Sequence, residues 1–177
     1  MLKKFFIAAM LTILLAAENF CAAMPYSEMY LGGFTVGSSY SAMVRMYGQP
    51  TQDEHVIEDI CNARYGNTVE ISYSNYSKKI QSIEVTANNG WKTPSGLAVG
   101  MNISRALDMY GEPDYKTSSS VKTAYCYFHR DRNYLDYGFF ILFNKESGKI
   151  LQLGVYGGSS MSNFDEIYQG IMTQMVK

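Results

Sequence analysis

The sequence predicts an α+β fold of two tandem repeats. Each repeat is a short helix followed by a three-stranded antiparallel meander, with the helices packed on one face of the sheet and a C-terminal helix closing the chain. Three observations carry this. The stretch Gly33–Pro50 recurs as Gly96–Pro113, 63 positions later, with 8 of 18 positions identical. The apolar set Ile80, Ile83, Val85 recurs as Ile150, Leu153, Val155 at an offset of 70. The tail carries an apolar stripe at helical spacing. Self-similarity at a fixed period dictates architecture before any single element does. The expected organisation is therefore a signal segment over 1–23, a first repeat over 24–93, a second over 94–157 and a tail helix over 158–177.

At the N-terminus, Lys3 and Lys4 precede an apolar run from Phe5 to Ala17. Such a run is short for a membrane span and normal for the core of a signal peptide. Cys21-Ala22-Ala23 supplies small residues for cleavage, which we place after Ala23; an uncleaved anchor is the alternative. Glu18-Asn19-Phe20 is not the small aliphatic approach that a lipidated cysteine requires. The expected location is periplasmic or secreted.

Each duplicated stretch reads as one helix with its start and stop signals. Ser39 and Asn102 are the N-caps, accepting from free first-turn amides. Tyr40, Met43, Val44 and Tyr47 fall at i, i+3, i+4, i+7, and Ile103, Ala106, Leu107 and Tyr110 repeat the spacing, so each helix has one apolar face to bury. Gly48 and Gly111 suit a left-handed C-terminal cap, and Pro50 and Pro113 stop continuation. Gly37 and Gly100 open the motif. Its simplest reading is structural.

Between the motifs, Ser27–Leu31 could make one helical turn, and Thr51–Asp59 is a polar connection. Three strands follow in the first repeat. Ile60–Tyr65 ends at the turn signal Gly66-Asn67. Val69, Ile71 and Tyr73 alternate with Glu70 and Ser72, the period of a half-buried strand. Ile80, Ile83 and Val85 mark the third, with slippage in the alternation. In the second repeat, Asp114–Val121 reads as a loop. Strands follow over Lys122–His129, Tyr134–Phe143 and Lys149–Tyr156, with Arg130–Asn133 as a hairpin tip. In the tail, Ser162 and Asp165 resemble a capping box ahead of Phe164, Ile167, Tyr168, Ile171 and Met175. One repeat alone offers too small a core to stand by itself, so the two must share one.

Charge excludes some partners. The chain has 15 Lys and Arg against 16 Asp and Glu; losing Lys3, Lys4 and Glu18 with the signal moves the net charge from −1 to −2. That leaves no basic face for nucleic acid. The tail's polar face carries Asp165 and Glu166 rather than lysines, which does not favour a membrane surface. Two cysteines remain after the signal, Cys61 and Cys126, one in each repeat. An oxidising destination favours a disulfide between them. Two separate buried thiols is the alternative, since pairing needs geometry that a sequence does not show.

The motif built by Gly37, Ser39, Val44, Tyr47, Gly48 and Pro50, and again by Gly100, Asn102, Leu107, Tyr110, Gly111 and Pro113, precedes an antiparallel meander in each repeat. This pattern resembles the small outer-membrane lipoprotein (SmpA/OmlA) family, and its doubling is similar to the β-lactamase inhibitory proteins. The likeness covers most of 31–157. It implies an envelope or secreted module that binds protein through a sheet face or loops.

No nucleophile elbow, phosphate loop or zinc-ligand pair occurs, and no motif calls for a cofactor or metal. Asp53, Glu54 and His55 with Glu58 and Asp59 form the densest set of potential metal ligands, but match no loop of defined geometry. His129-Arg130-Asp131 echoes a kinase catalytic loop in three letters only. The remaining signal is aromatic and basic: Tyr73, Tyr76, Trp91, Tyr125, Tyr127 and Tyr134, with Arg130 and Arg132. Tyr, Trp and Arg anchor protein interfaces. The expectation is a non-enzymatic module that binds an unidentified protein or peptide through these residues. The alternatives are a hydrolytic or metal-dependent enzyme around His55, or an envelope protein with no dedicated ligand.

Overall fold

The structure, a computed structural model, describes residues 24–130 and 136–158. The expected signal segment, the expected C-terminal helix, and the tip residues Arg132 and Tyr134 lie outside the described residues. After a single 3-10 turn, Tyr26–Glu28, come helix α1 (Tyr40–Tyr47) and strands β1 (Gln52–Ile57), β2 (Ile60–Tyr65), β3 (Val69–Ser74) and β4 (Ile80–Val85). Then follow α2 (Ile103–Tyr110), β5 (Tyr115–Ser118), β6 (Lys122–Arg130), β7 (Asp136–Asn144) and β8 (Ile150–Gly158).

All eight strands form one antiparallel sheet in the order β1-β2-β3-β4-β8-β7-β6-β5. This corrects the expected plan of two helix-plus-three-strand repeats. Each half has four strands, the halves are fused by the β4–β8 ladder, and no C-terminal helix is among the described elements. The strands missed are β1, inside the connection read as polar, and β5, inside the segment read as a loop. Both end the strand order. A terminal strand can be polar on both faces, so hydrophobic alternation does not reveal it.

The two halves fix their helices with matching bonds. Gly37 and Tyr40 donate to the carbonyls of Ile80 and Lys78, while Ile80 N–H returns to Ser38 (2.8, 2.9 and 3.0 Å). Gly100 and Ile103 donate to Ile150 and Gly148, and Ile150 N–H returns to Met101 (2.8 Å each). The N-caps work as the sequence indicates: Ser39 Oγ accepts from Ala42 N–H and Asn102 Oδ1 from Ser104 N–H. Gly48 and Gly111 have φ of 83° and 72° with ψ near 180°. That region is essentially closed to residues with a Cβ, and it is extended rather than the expected left-handed turn.

Parity sorts the side chains. Val69, Ile71, Ile83, Val85, Phe139, Ile141, Leu153 and Val155 face the helices and share a core with Met43, Ala106 and Tyr110. Burying each large aliphatic contributes roughly 1.5–3 kcal/mol. The slippage after Ile80 is a bulge between β3 and β4, with its counterpart between β7 and β8. The bulges return Ile80 and Ile150 to the core face. On the opposite face, Ala124, Cys126, Phe140 and Leu142 form a second buried cluster in the β6–β7 half. The same face of the β2–β4 half is polar, with Asn62, Glu70, Ser72 and Glu84.

Candidate functional site at the β1–β2 tip

β1 and β2 join through the two-residue turn Glu58-Asp59, since Ile57 pairs with Ile60. Glu58 takes a positive φ of 42°. Holding an L-residue there costs about 1–2 kcal/mol, so the surroundings must enforce it. His55 Nε2 bonds the Glu58 carbonyl at 2.6 Å. Asp59 latches this turn to the next one along the sheet. Its Oδ1 accepts from Ser74 Oγ (2.9 Å) and Tyr76 N–H (2.8 Å), and its carbonyl accepts from Asn75 N–H (2.7 Å). These donors hold the Asp59 carboxyl below its ordinary range, the Ser74 hydroxyl first.

The latch places Tyr76 beside the hairpin. Val56 (55%), Ile57 (60%) and Tyr76 (82%) are exposed, and Ile60 is marginally so. Behind them, Asp53 on β1 accepts from the hydroxyls of Tyr40 on α1 (2.9 Å) and Tyr73 on β3 (2.7 Å). The two rings stack at 3.8 Å between centroids. Burial, then Asp53, raises both phenol pKa values. The strand is thus bolted to the body, and the apolar tip stands on a rigid base.

The other residues expected at a binding surface lie elsewhere. Tyr73 is buried in the clamp just described. Trp91 is buried against Tyr47 and over Gly32, where a Cβ would sit 2.6 Å from the indole. Tyr127 is fully buried and donates to the Gly111 carbonyl. Tyr125 is half-buried, edge-on to Phe143, with Lys116 Nζ over its ring. The proposed outward aromatic face is therefore largely core: these side chains share the parity of Ile71 and Ile141. Arg130 ends β6 and its side chain is outside the described set. By the ladders, the Arg130 end of β6 and the Asp136 end of β7 lie at the same end of the sheet as the β3–β4 turn that holds Tyr76.

The cysteines do not pair. Both are free and buried, Cys61 in the helix-side core and Cys126 in the second cluster on the opposite face. Five strand spacings separate β2 from β6, about 24 Å, against a Cα limit near 7 Å for a disulfide. Burial, then the charge of Asp114, pushes the Cys126 thiol up to about 12. His55 on β1 and His129 on β6 are likewise far apart; His129 lies against the Tyr26 ring. Among the described residues no three His, Cys, Asp or Glu side chains converge as metal ligands. A shallow groove of about 260 Å³ on the polar face includes Gln52, Arg64, Asn67 and Glu70. Its charges are already engaged: Arg64 pairs with Glu70 at 3.1 Å, and Glu84 holds Gln152 and Tyr156.

Sequence reasoning missed Val56, Ile57 and Ile60 as candidates. The signal was present, since adjacent branched aliphatics flank a two-residue turn of acidic residues, but it was absorbed into a polar connection.

No family model matches the sequence, and no curated protein matches it either. A solved structure shares the fold over about half of its own length. A cysteine-rich secretory protein from Staphylococcus aureus subsp. aureus Mu50 superposes on 76% of this chain and 48% of its own, with a TM-score of 0.50 and 14% identity. An extracellular protein containing a SCP domain from Bacillus anthracis str. Ames covers 71% of this chain and 45% of its own, with a TM-score of 0.47 and 8% identity. The chain spans about half the length of each. The staphylococcal likeness is one of fold alone. Neither neighbour is a small outer-membrane lipoprotein or a β-lactamase inhibitory protein.

Proposed function

We propose that this protein is an exported, non-enzymatic module that binds another protein through the tip formed by Val56, Ile57, Ile60 and Tyr76. One observation carries the reading: three branched aliphatic side chains and Tyr76 stand in solvent together on and beside a latched, strained turn, while the other exposed large apolar groups, Met46, Tyr47, Met101, Val121 and Leu151, are spread over α1, β8 and the approaches to α2 and β6. Exposed apolar groups gathered in one place mark interaction sites, whereas scattered ones do not. Export is supported by the basic and apolar N-terminal run, and by the secretory and extracellular names of the proteins with similar folds. The module reading is supported by the resemblance to SmpA/OmlA-like and β-lactamase inhibitory protein-like units.

The test is capture from envelope and culture fractions with the chain beginning at Met24. Wild type is compared with Ile57→Asp and Tyr76→Ala, each checked for an unchanged circular dichroism spectrum and melting temperature. A discrete partner held by wild type and lost by both variants is the expected result. A partner retained by both variants removes the tip from the interaction.

A further inference from the structure

The two ends of the sheet differ in how they are protected. β5 has four residues and carries Lys116, which pairs with Glu112; Pro113 stands two residues ahead of it, as Pro50 stands two residues ahead of β1. A short strand carrying lysine is how native sheets discourage pairing at an edge. β1 has six residues, all exposed, and neither proline nor lysine within it. On its outer side no described residue pairs with it. The tyrosine clamp on Asp53 and the Asp59 latch hold it in strand geometry without any outer neighbour.

From these features we infer that β1 is a strand acceptor, and that its occupant is an extended peptide segment alternating lysine or arginine with branched aliphatic residues. This rests on the protein-binding reading above and names the partner's chemistry. An exposed edge offers main-chain groups to an added strand, and pockets or charges beside it select the side chains. Here the selection is acidic and apolar. Asp53, Glu54, Glu58 and Asp59 lie along or at the end of β1, and no lysine or arginine occurs between Arg45 and Arg64. Val56 and Ile57 supply the apolar contact at the tip end. The same charges argue against a second copy of this chain. Pairing β1 with β1 would bring two sets of these four carboxylates onto one seam, and like charges across strands oppose pairing.

The experiment uses the chain from Met24, labelled with 15N, and three synthetic probes: acetyl-(Lys-Val)4-amide, its glutamate counterpart, and the lysine peptide N-methylated at alternate residues along one edge. The lysine peptide is expected to shift the amides of residues 52–57 and slow their exchange at least tenfold. The other two probes should do neither. Val56→Lys, an exposed change that installs the edge lysine present in β5, should weaken the lysine peptide at least tenfold. Equal binding of the N-methylated peptide, shifts confined elsewhere, or no effect of Val56→Lys would overturn the inference. So would a dimer formed through β1 in the absence of peptide. Failure here and failure of the functional reading are separable. A captured partner that depends on Ile57 and Tyr76, with no response of β1 to the lysine peptide, overturns only the edge inference. A responsive edge with partner capture indifferent to those residues overturns only the tip reading.

Discussion

Replacing Asp53 by Asn tests whether the base of the tip is held as described. The carboxylate accepts two phenol hydroxyls, from Tyr40 and Tyr73, on different elements. A hydrogen bond to a charged acceptor contributes about 1.5–3 kcal/mol and a neutral one about 0.5–1.5 kcal/mol. The amide keeps one oxygen and presents an N–H2 group to the second hydroxyl, so one bond weakens and the other must turn or break. Because Asp53 is exposed, water recovers part of the loss, leaving about 2 kcal/mol at the lower end of those ranges. For a domain of this size that lowers the melting temperature by about 4–8 °C. The assay is a cycle of Asp53→Asn, Tyr40→Phe and Tyr73→Phe, followed by urea and thermal unfolding. Coupling above about 0.5 kcal/mol in each Asp–Tyr pair is expected of groups in one network. Additive effects, or an Asp53→Asn variant as stable as wild type, would refute the clamp and with it the rigid base of β1.

Four further outcomes follow from the same structure. Gly154→Ala should destabilise by about 1–3 kcal/mol in urea unfolding, because its Cβ would overlap the Phe140 ring inside the second cluster. The Asp59 carboxyl is held below its ordinary range, so its stabilising contribution is present above about pH 4 and lost as pH falls through its lowered pKa. The protection factor of the Tyr76 amide, its exchange relative to the intrinsic rate at each pH, should therefore fall on acidification, and Asp59→Asn should flatten that dependence. Tyr40, Tyr73 and Tyr110 have raised pKa values, so their contribution is intact below about pH 10 and declines above it. Tyrosinate absorbance near 295 nm should show a late fraction that appears together with unfolding. Both thiols should resist Ellman's reagent until the chain unfolds, and the chain from Met24 should carry no internal disulfide by mass, whatever the redox buffer.

The helices were legible because their signals are local. Ser39 and Asn102 act as caps, Gly48 and Gly111 end the helices, and the apolar face of each is set by a four-residue rhythm. The central strands were legible for the same reason, through Val69, Ile71 and Tyr73. The edge strands were not. Gln52–Ile57 has no buried residue, so nothing in its pattern separates it from a solvated loop; its pairing to β2 is the only thing that makes it a strand. Tyrosine placement was partly legible. Tyr73 shares parity with Ile71, which already assigned it inward, and Tyr76 falls in a turn, which assigned it outward. The cysteines turned on tertiary information: Cys126 alternates with Tyr125 and Tyr127 and so faces away from them, but which face holds Cys61 depends on sheet order.

That sheet order also explains why the two halves can resemble one another in scaffold and differ in exposure. Fusing them through β4 and β8 buries the last strand of each and pushes the first strand of each to an outer edge. Whatever sequence occupies those edges is released from core constraints and answers only to solvent, pairing and partners. The positions 63 apart diverge accordingly: Asp53, tied to two phenols in one half, corresponds to Lys116, set over the Tyr125 ring in the other. One edge has the short, lysine-bearing form that discourages added strands, and the other has greater length, acidity and an apolar end. Transferring the edge lysine alone, with Lys for Val56 and Asp53 kept in its clamp, should leave the β4–β8 seam and its amide protection unchanged while abolishing any strand-type contact at the tip. Loss of seam protection in that variant would mean the edges support the fold, and the division between a structural centre and a free edge would have to be abandoned.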